Sequence, residues 1–201
     1  MSQPNVRLAS CIVLLVAWSA HAAPKDAVKS GQPVYTGVAD GSISPATSGL
    51  FEEAAKRMEK KDFAGASAIY RKAEQLEPNN SASRIGRAAC AIGAGDLAGA
   101  KKLYEEALKL EPKSITAYIG LASVAVLDSR FRDAAASYDK ALALDQQQAD
   151  AHWGAAIAWS RVGDQDKARR HAARAVELAP QAPWAAAATA YLKSLGGPKG
   201  Q

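Results

Sequence analysis

Residues 61–80 read KDFAGASAIYRKAEQLEPNN, and residues 95–114 read GDLAGAKKLYEEALKLEPKS. Two more stretches follow at the same interval, SRFRDAAASYDKALALDQQQ at 129–148 and GDQDKARRHAARAVELAPQA at 163–182. Laid over one another without gaps, they keep their small residues in register: Ala66, Ala100, Ala134 and Ala168, then Ala73, Ala107, Ala141 and Ala175. An aromatic sits between the two sets at Tyr70, Tyr104 and Tyr138. Asp62, Asp96 and Asp164 stand near the start of three stretches, and Pro78, Pro112 and Pro180 close three. The constant interval divides the chain into four segments of equal length: 47–80, 81–114, 115–148 and 149–182.

Each segment reads as two antiparallel helices, spanning about 48–60 and 63–76 in the first. One such pair cannot bury its apolar face alone, so neighbours must stack. Helix backbones approach closely only where side chains are small, which explains alanines fixed at the same positions in every segment. Tyrosines fill the wider gaps, and prolines stop the second helices because they cannot continue the hydrogen-bond ladder. Composition agrees: 46 of 201 residues are alanine and only 6% are aromatic, which favours helices over a sandwich or barrel. Fifteen glycines and nine prolines are ordinary numbers, and two cysteines cannot form a disulfide scaffold.

With these motifs in register, residues 47–182 resemble the tetratricopeptide repeat family. The resemblance implies an all-α fold, a right-handed α-solenoid of four helix pairs. The stretch PWAAAATAYLKSLGG, from Pro183, reads as a capping helix over 183–195, with a tail at 196–201. Three departures are notable. Gln146 replaces a closing proline, so a softer or more continuous joint is expected there. Ala172 stands where the other repeats have tyrosine, with Trp159 a candidate to compensate, and Glu53 takes an apolar position, as suits an exposed terminal repeat.

The resemblance also implies a non-catalytic scaffold whose first helices line a concave groove that holds a peptide or a partner's helix. Carried over by position, the groove would present Phe51, Ala55 and Met58, then Ile85, Ala89 and Ile92. The third repeat would add Ile119, Ser123 and Val126, and the fourth Trp153, Ile157 and Ser160. Phe51, Ile85, Ile119 and Trp153 are the expected anchors. The Lys/Asn/Arg carboxylate clamp known in some members is absent, since Phe51, Ala55, Gly86, Thr116 and Gly120 occupy the matching positions. Gly86, Gly120 and Gly154 also recur at the common interval. Glycine inside a helix costs about 1 kcal/mol, so either a helix or a ligand backbone must lie very close, with a helix favoured.

Little else points to chemistry. His152 and His171 lie on different helices of repeat four with no close-spaced partner in sequence, so no zinc site or cofactor is expected. Gly93 and Gly95 flank a helix turn and make no phosphate loop. Cys90, among Ala88, Ala89 and Ala91, reads as a small buried residue, and an enzyme that uses it as nucleophile is the less favoured reading. Carboxylates are expected to pair with lysines on exposed faces, as Glu105 with Lys109. The basic run from Lys167 to Arg174 reads as an outer helix face, and nucleic acid is not an expected partner.

Residues 1–22 read as an export signal: Arg7, an apolar run from Leu8 to Ala20, and a cut after Ala22 in Ala20-His21-Ala22. A periplasmic location is therefore expected, with residues 23–46 as a flexible tether rich in Gly and Pro. A rival reading takes Leu8-Ala9-Ser10-Cys11 as a lipobox, making the protein a membrane-attached accessory of a pilus-assembly or secretion machine. Its apolar run, however, follows the cysteine instead of preceding it. The formal net charge of +5 becomes +4 once Arg7 is removed with the signal.

Overall fold

The structure, a computed structural model, describes residues 45–196. The export signal, most of the tether and the last five residues lie outside the described residues. Among the described residues there are nine helices and no strand. The first repeat holds α1 (Pro45–Glu59) and α2 (Phe63–Leu76), and the second α3 (Ser81–Gly93) and α4 (Leu97–Leu110). The third holds α5 (Ile115–Leu127) and α6 (Phe131–Leu144), the fourth α7 (Ala149–Val162) and α8 (Gln165–Leu178), and α9 (Ala185–Gly196) caps the array. Helix α1 starts at Pro45, inside the stretch read as tether, because proline's fixed φ suits the first helical turn.

The turn inside each pair is built twice over. Asp62, Asp96 and Asp164 cap the second helices by accepting from the backbone N–H of Gly65, Gly99 and Lys167 at 2.8–3.0 Å. Repeat three has Arg130 there instead, and its guanidinium braces the turn from Asp128 and Asp133, both at 2.7 Å. Just before these caps the backbone enters the left-handed region at Lys61, Gly95, Ser129 and Gly163, once in every repeat and always at the same register position. Glycine suits that conformation, and Lys61 and Ser129 hold it at a steric cost.

At Gln146 the joint does not become a continuous helix. Helix α6 stops at Leu144, because Asp145 accepts from the Gln147 backbone N–H at 2.8 Å and from Gln148 Nε2 at 2.6 Å. A carboxylate here ends the helix as proline does in the other repeats.

Packing between repeats follows one rule three times over. A Cβ placed on Gly86 would lie 2.5 Å from Tyr70, one on Gly120 2.2 Å from Tyr104, and one on Gly154 2.3 Å from Tyr138. The second-helix tyrosine of repeats one to three thus lies against the first-helix backbone of the next, and only glycine leaves room for its ring. The choice between close helix and ligand backbone is settled for the helix. The register position in repeat one is Glu52, exposed, with no earlier repeat to place a ring on it. The tyrosines are 4% exposed or less, and the alanines on either side of them reach 0%.

The last seam breaks the rule on both sides at once. Ala172 stands where tyrosine would be, and Ala188 stands where glycine would be; both are fully buried. The space is filled by a different set: Trp153 of α7 stacks on Trp184 at 6.0 Å between centroids and meets the edge of Tyr191 at 6.5 Å. Trp184 Nε1 donates to Asp150 Oδ1 at 2.7 Å, which gives the half-buried indole its partner. Trp159 does not take up this role. It packs in the core between repeats three and four, with Lys167 Nζ 3.7 Å from its ring centre.

Candidate partner-binding face

The stack is closed more tightly along its first helices, where α3 packs directly on α5 and α5 on α7. This side is the inner, concave one, and it carries the positions expected to line a groove. Five of those side chains belong to the core instead. Phe51 is 3% exposed and meets Tyr70 edge-on at 5.3 Å. Ile92 and Val126 are buried in two different core clusters, and Trp153 in a third beneath Trp184. Ser123 is buried and donates to the Ile119 carbonyl at 2.9 Å. The expected anchors Phe51 and Trp153 therefore offer almost no side chain to a partner.

The other apolar positions stay half-buried: Ala55, Met58, Ile85, Ala89, Ile119 and Ile157. Met58, Ile85, Ile119 and Ile157 each rest one side on a core cluster and leave the other open, whereas Ala55 and Ala89 belong to no cluster. Ala89 lies on α3, between Ala55 and Ser123 in register. A second apolar line, which sequence reading missed, runs along the ends of the second helices. Leu76, Leu110 and Leu144 are 61%, 39% and 40% exposed and also share one register position. The signal was present as four leucines in register, Leu178 being the fourth and less exposed, but nothing in the sequence separates an exposed register position from a buried one.

Ionic contacts are mostly local. Glu74 of α2 takes Arg84 on one oxygen at 3.1 Å and Arg87 on the other at 2.5 Å, a half-buried clasp across the first seam. Glu105 pairs with Lys101 at 3.7 Å and not with Lys109. The basic run on α8 is largely engaged within the molecule. Arg169 reaches the Leu195 carbonyl at the end of α9 at 2.5 Å, and Arg174 reaches Glu177 at 3.2 Å.

The groups with chemical potential are deep. Cys90 is 2% exposed, its Sγ lies 3.2 Å from Met58 Sδ, and burial pushes the thiol up to about 12. A thiol held neutral in this way is a poor nucleophile. The two histidines, separate in sequence, meet in space with Nδ1 atoms 3.0 Å apart. Among the described residues no three His, Cys, Asp or Glu side chains cluster as metal ligands would.

A stack of antiparallel helix pairs with an inner face and a capped end is a helical-repeat scaffold. Two tetratricopeptide repeat family models match, one over residues 57–123 and the other over 119–183. The chain belongs to the tetratricopeptide repeat family and is an all-α solenoid of the protein-interaction class. No curated protein matches it. Solved structures share the fold at low identity. The crystal structure of MamA is 22% identical, covering 70% of this chain and 90% of its own, with a TM-score of 0.58. TTC0263 of Thermus thermophilus, a thermophilic TPR protein, is 16% identical over 75% of this chain and 83% of its own, with a TM-score of 0.65. A tetratricopeptide repeat protein of Parabacteroides merdae ATCC 43184 is 20% identical over 77% of this chain and 61% of its own, with a TM-score of 0.62.

Proposed function

We propose that this protein is a non-catalytic scaffold that captures a peptide or helix of a partner protein along the inner face of its first helices. The observation that carries the reading is the line of half-buried apolar side chains Ala55, Met58, Ile85, Ala89, Ile119 and Ile157, in register from repeat to repeat. A bound segment would cover their open sides and add apolar burial without disturbing the core beneath. A photo-crosslinking residue placed at Ala89 tests this against the same probe at Lys102, exposed on α4. In the cell of origin, partner adducts are expected from position 89 and not from position 102. Adducts from 102 alone would move the binding face to the outside of the array.

The site of action proposed is the bacterial envelope, supported by residues 1–22 as an export signal. The second reading, lipid attachment through Cys11, is favoured by the Leu8-Ala9-Ser10-Cys11 stretch. Mass spectrometry of the protein recovered from cells distinguishes them. A chain starting at Ala23 is expected, and a diacylated Cys11 at the N-terminus would establish the accessory-lipoprotein reading in its place.

A further inference from the structure

The joint between repeats three and four holds two histidines that touch. His152 on α7 and His171 on α8 place their Nδ1 atoms 3.0 Å apart, with ring centroids 5.2 Å apart. A nitrogen lies about 1.1 Å from the centre of its ring, so these two distances place both nitrogens nearly on the line between the centroids. The in-plane bonding directions of the two nitrogens point at one another. A metal shared by two such nitrogens needs roughly 2 Å to each, with lone pairs that converge to one side. The head-on arrangement suits a hydrogen between the rings and does not suit an ion.

The outer nitrogens complete the pattern. His152 Nε2 lies 3.2 Å from the Gln146 carbonyl, which accepts only, so this nitrogen carries a hydrogen and His152 Nδ1 is the acceptor. His171 Nδ1 must then donate. His171 Nε2 faces Asp139 Oδ1 of α6 at 3.8 Å, so a first added proton has a carboxylate beside it there. A second would put an N–H on each Nδ1, two donors facing at 3.0 Å with no acceptor between them.

We propose that the His152–His171 pair is a proton-operated latch on the joint between the third and fourth repeats, closed by one shared hydrogen and opened when both rings are charged. Closed and neutral, the latch ties two helices and one turn: α8 through His171, α7 through His152, and the turn through the carbonyl of Gln146, the residue that replaces the closing proline; Asp139 of α6 joins when His171 Nε2 takes a proton.

The surrounding charges favour opening by acid. Burial is the largest influence on both rings and lowers both below the ordinary histidine value of 6.5. Arg174 adds to this at His152, as do His152, Arg170 and Lys167 at His171, while Asp139 and the Gln146 carbonyl pull the other way. Helix α5 carries no charged residue, Asp150 of α7 is engaged by Trp184, and the one charge of α9, Lys193, is exposed. With folded values below the unfolded one, the latch's stabilisation is complete above about pH 6.5. It is lost as pH falls through the folded values, because the unfolded chain binds protons that the closed joint refuses.

Hydrogen exchange on the full chain, corrected for intrinsic rates, tests the latch. Between pH 7.5 and pH 5, opening of α7 to α9 is expected to rise about tenfold or more, with α1 to α4 changed less than twofold. In His171→Gln, which cannot take up the charge, that difference should vanish. A wild-type array that loosens evenly, or a variant with the same local pH response, would overturn the proposal. Should the variant fail to fold, nitrogen-15 spectra of the wild-type imidazoles decide. Two coupled steps below 6.5 are expected, and two independent titrations near 6.5 would sink the latch.

Discussion

The three seams inside the array and the one at its end bury similar helix faces by opposite means. Inside, a tyrosine from one repeat lies on a glycine of the next, at Tyr70–Gly86, Tyr104–Gly120 and Tyr138–Gly154. At the end, two alanines face each other and the bulk comes from Trp153, Trp184 and Tyr191 around them. The internal arrangement uses one large ring on a flat spot and can be repeated without limit, since each inner repeat, the second and the third, supplies both a ring and a spot. The terminal arrangement cannot be repeated. It needs Asp150 to satisfy the Trp184 indole, and the capping helix offers no further ring to a following unit. The difference shows how one scaffold separates an extendable interior from a finished end.

The comparison can be broken most severely at its centre. Tyr104→Ala removes a ring that is 2% exposed and leaves a cavity against Gly120, and should cost about 3–5 kcal/mol by denaturant unfolding. The matched change on the other side of the seam is smaller but has a distinctive sign. In an ordinary helix glycine-to-alanine stabilises by about 1 kcal/mol, yet Gly120→Ala should destabilise by about 1–2 kcal/mol, because its methyl meets Tyr104 at 2.2 Å. At the terminal seam the preference reverses. Ala188→Gly should cost about 1–2 kcal/mol, from lost helix propensity and one fully buried methyl, with no clash to relieve. If Gly120→Ala raised the melting temperature, the ring-on-backbone account of the internal seams would be overturned.

Much of this was legible in the sequence because it was written four times. Helix α2 was read at its observed bounds, and the register alanines, the caps at Asp62, Asp96 and Asp164, and a capping helix close to the bounds of α9 followed from the same repetition. The candidate face was legible only in part. Phe51, Ile85, Ile119 and Trp153 share one register position, yet the first and last are buried and the middle two half-buried. An aromatic neighbour decides this, Tyr70 beside Phe51 and Trp184 beside Trp153, and register alone does not say which neighbours come within reach. The histidine contact was illegible for another reason. His152 and His171 belong to two separate helices, and their meeting depends on how α7 and α8 turn toward each other, which no local pattern encodes. Where each repeat departed from the others, the replacement was found in space and not in register: Asp145 stopped the helix that Gln146 leaves unstopped, and Trp153, not Trp159, filled the room beside Ala172.

The partners in each internal seam keep one fixed separation along the chain, always tyrosine first and glycine second. Excising any continuous stretch of one repeat's length between Tyr70 and Gly154 therefore rejoins a tyrosine to a glycine at the same separation, wherever the cut begins. Inserting a stretch of that length and of matching sequence does the same. A gene for such an array can lengthen or shorten by unequal crossing-over without the breakpoints having to respect the ends of a repeat. The Ala172–Ala188 pair and its Trp184 lie beyond Gly154, so every chain produced in this way would still carry its own terminus.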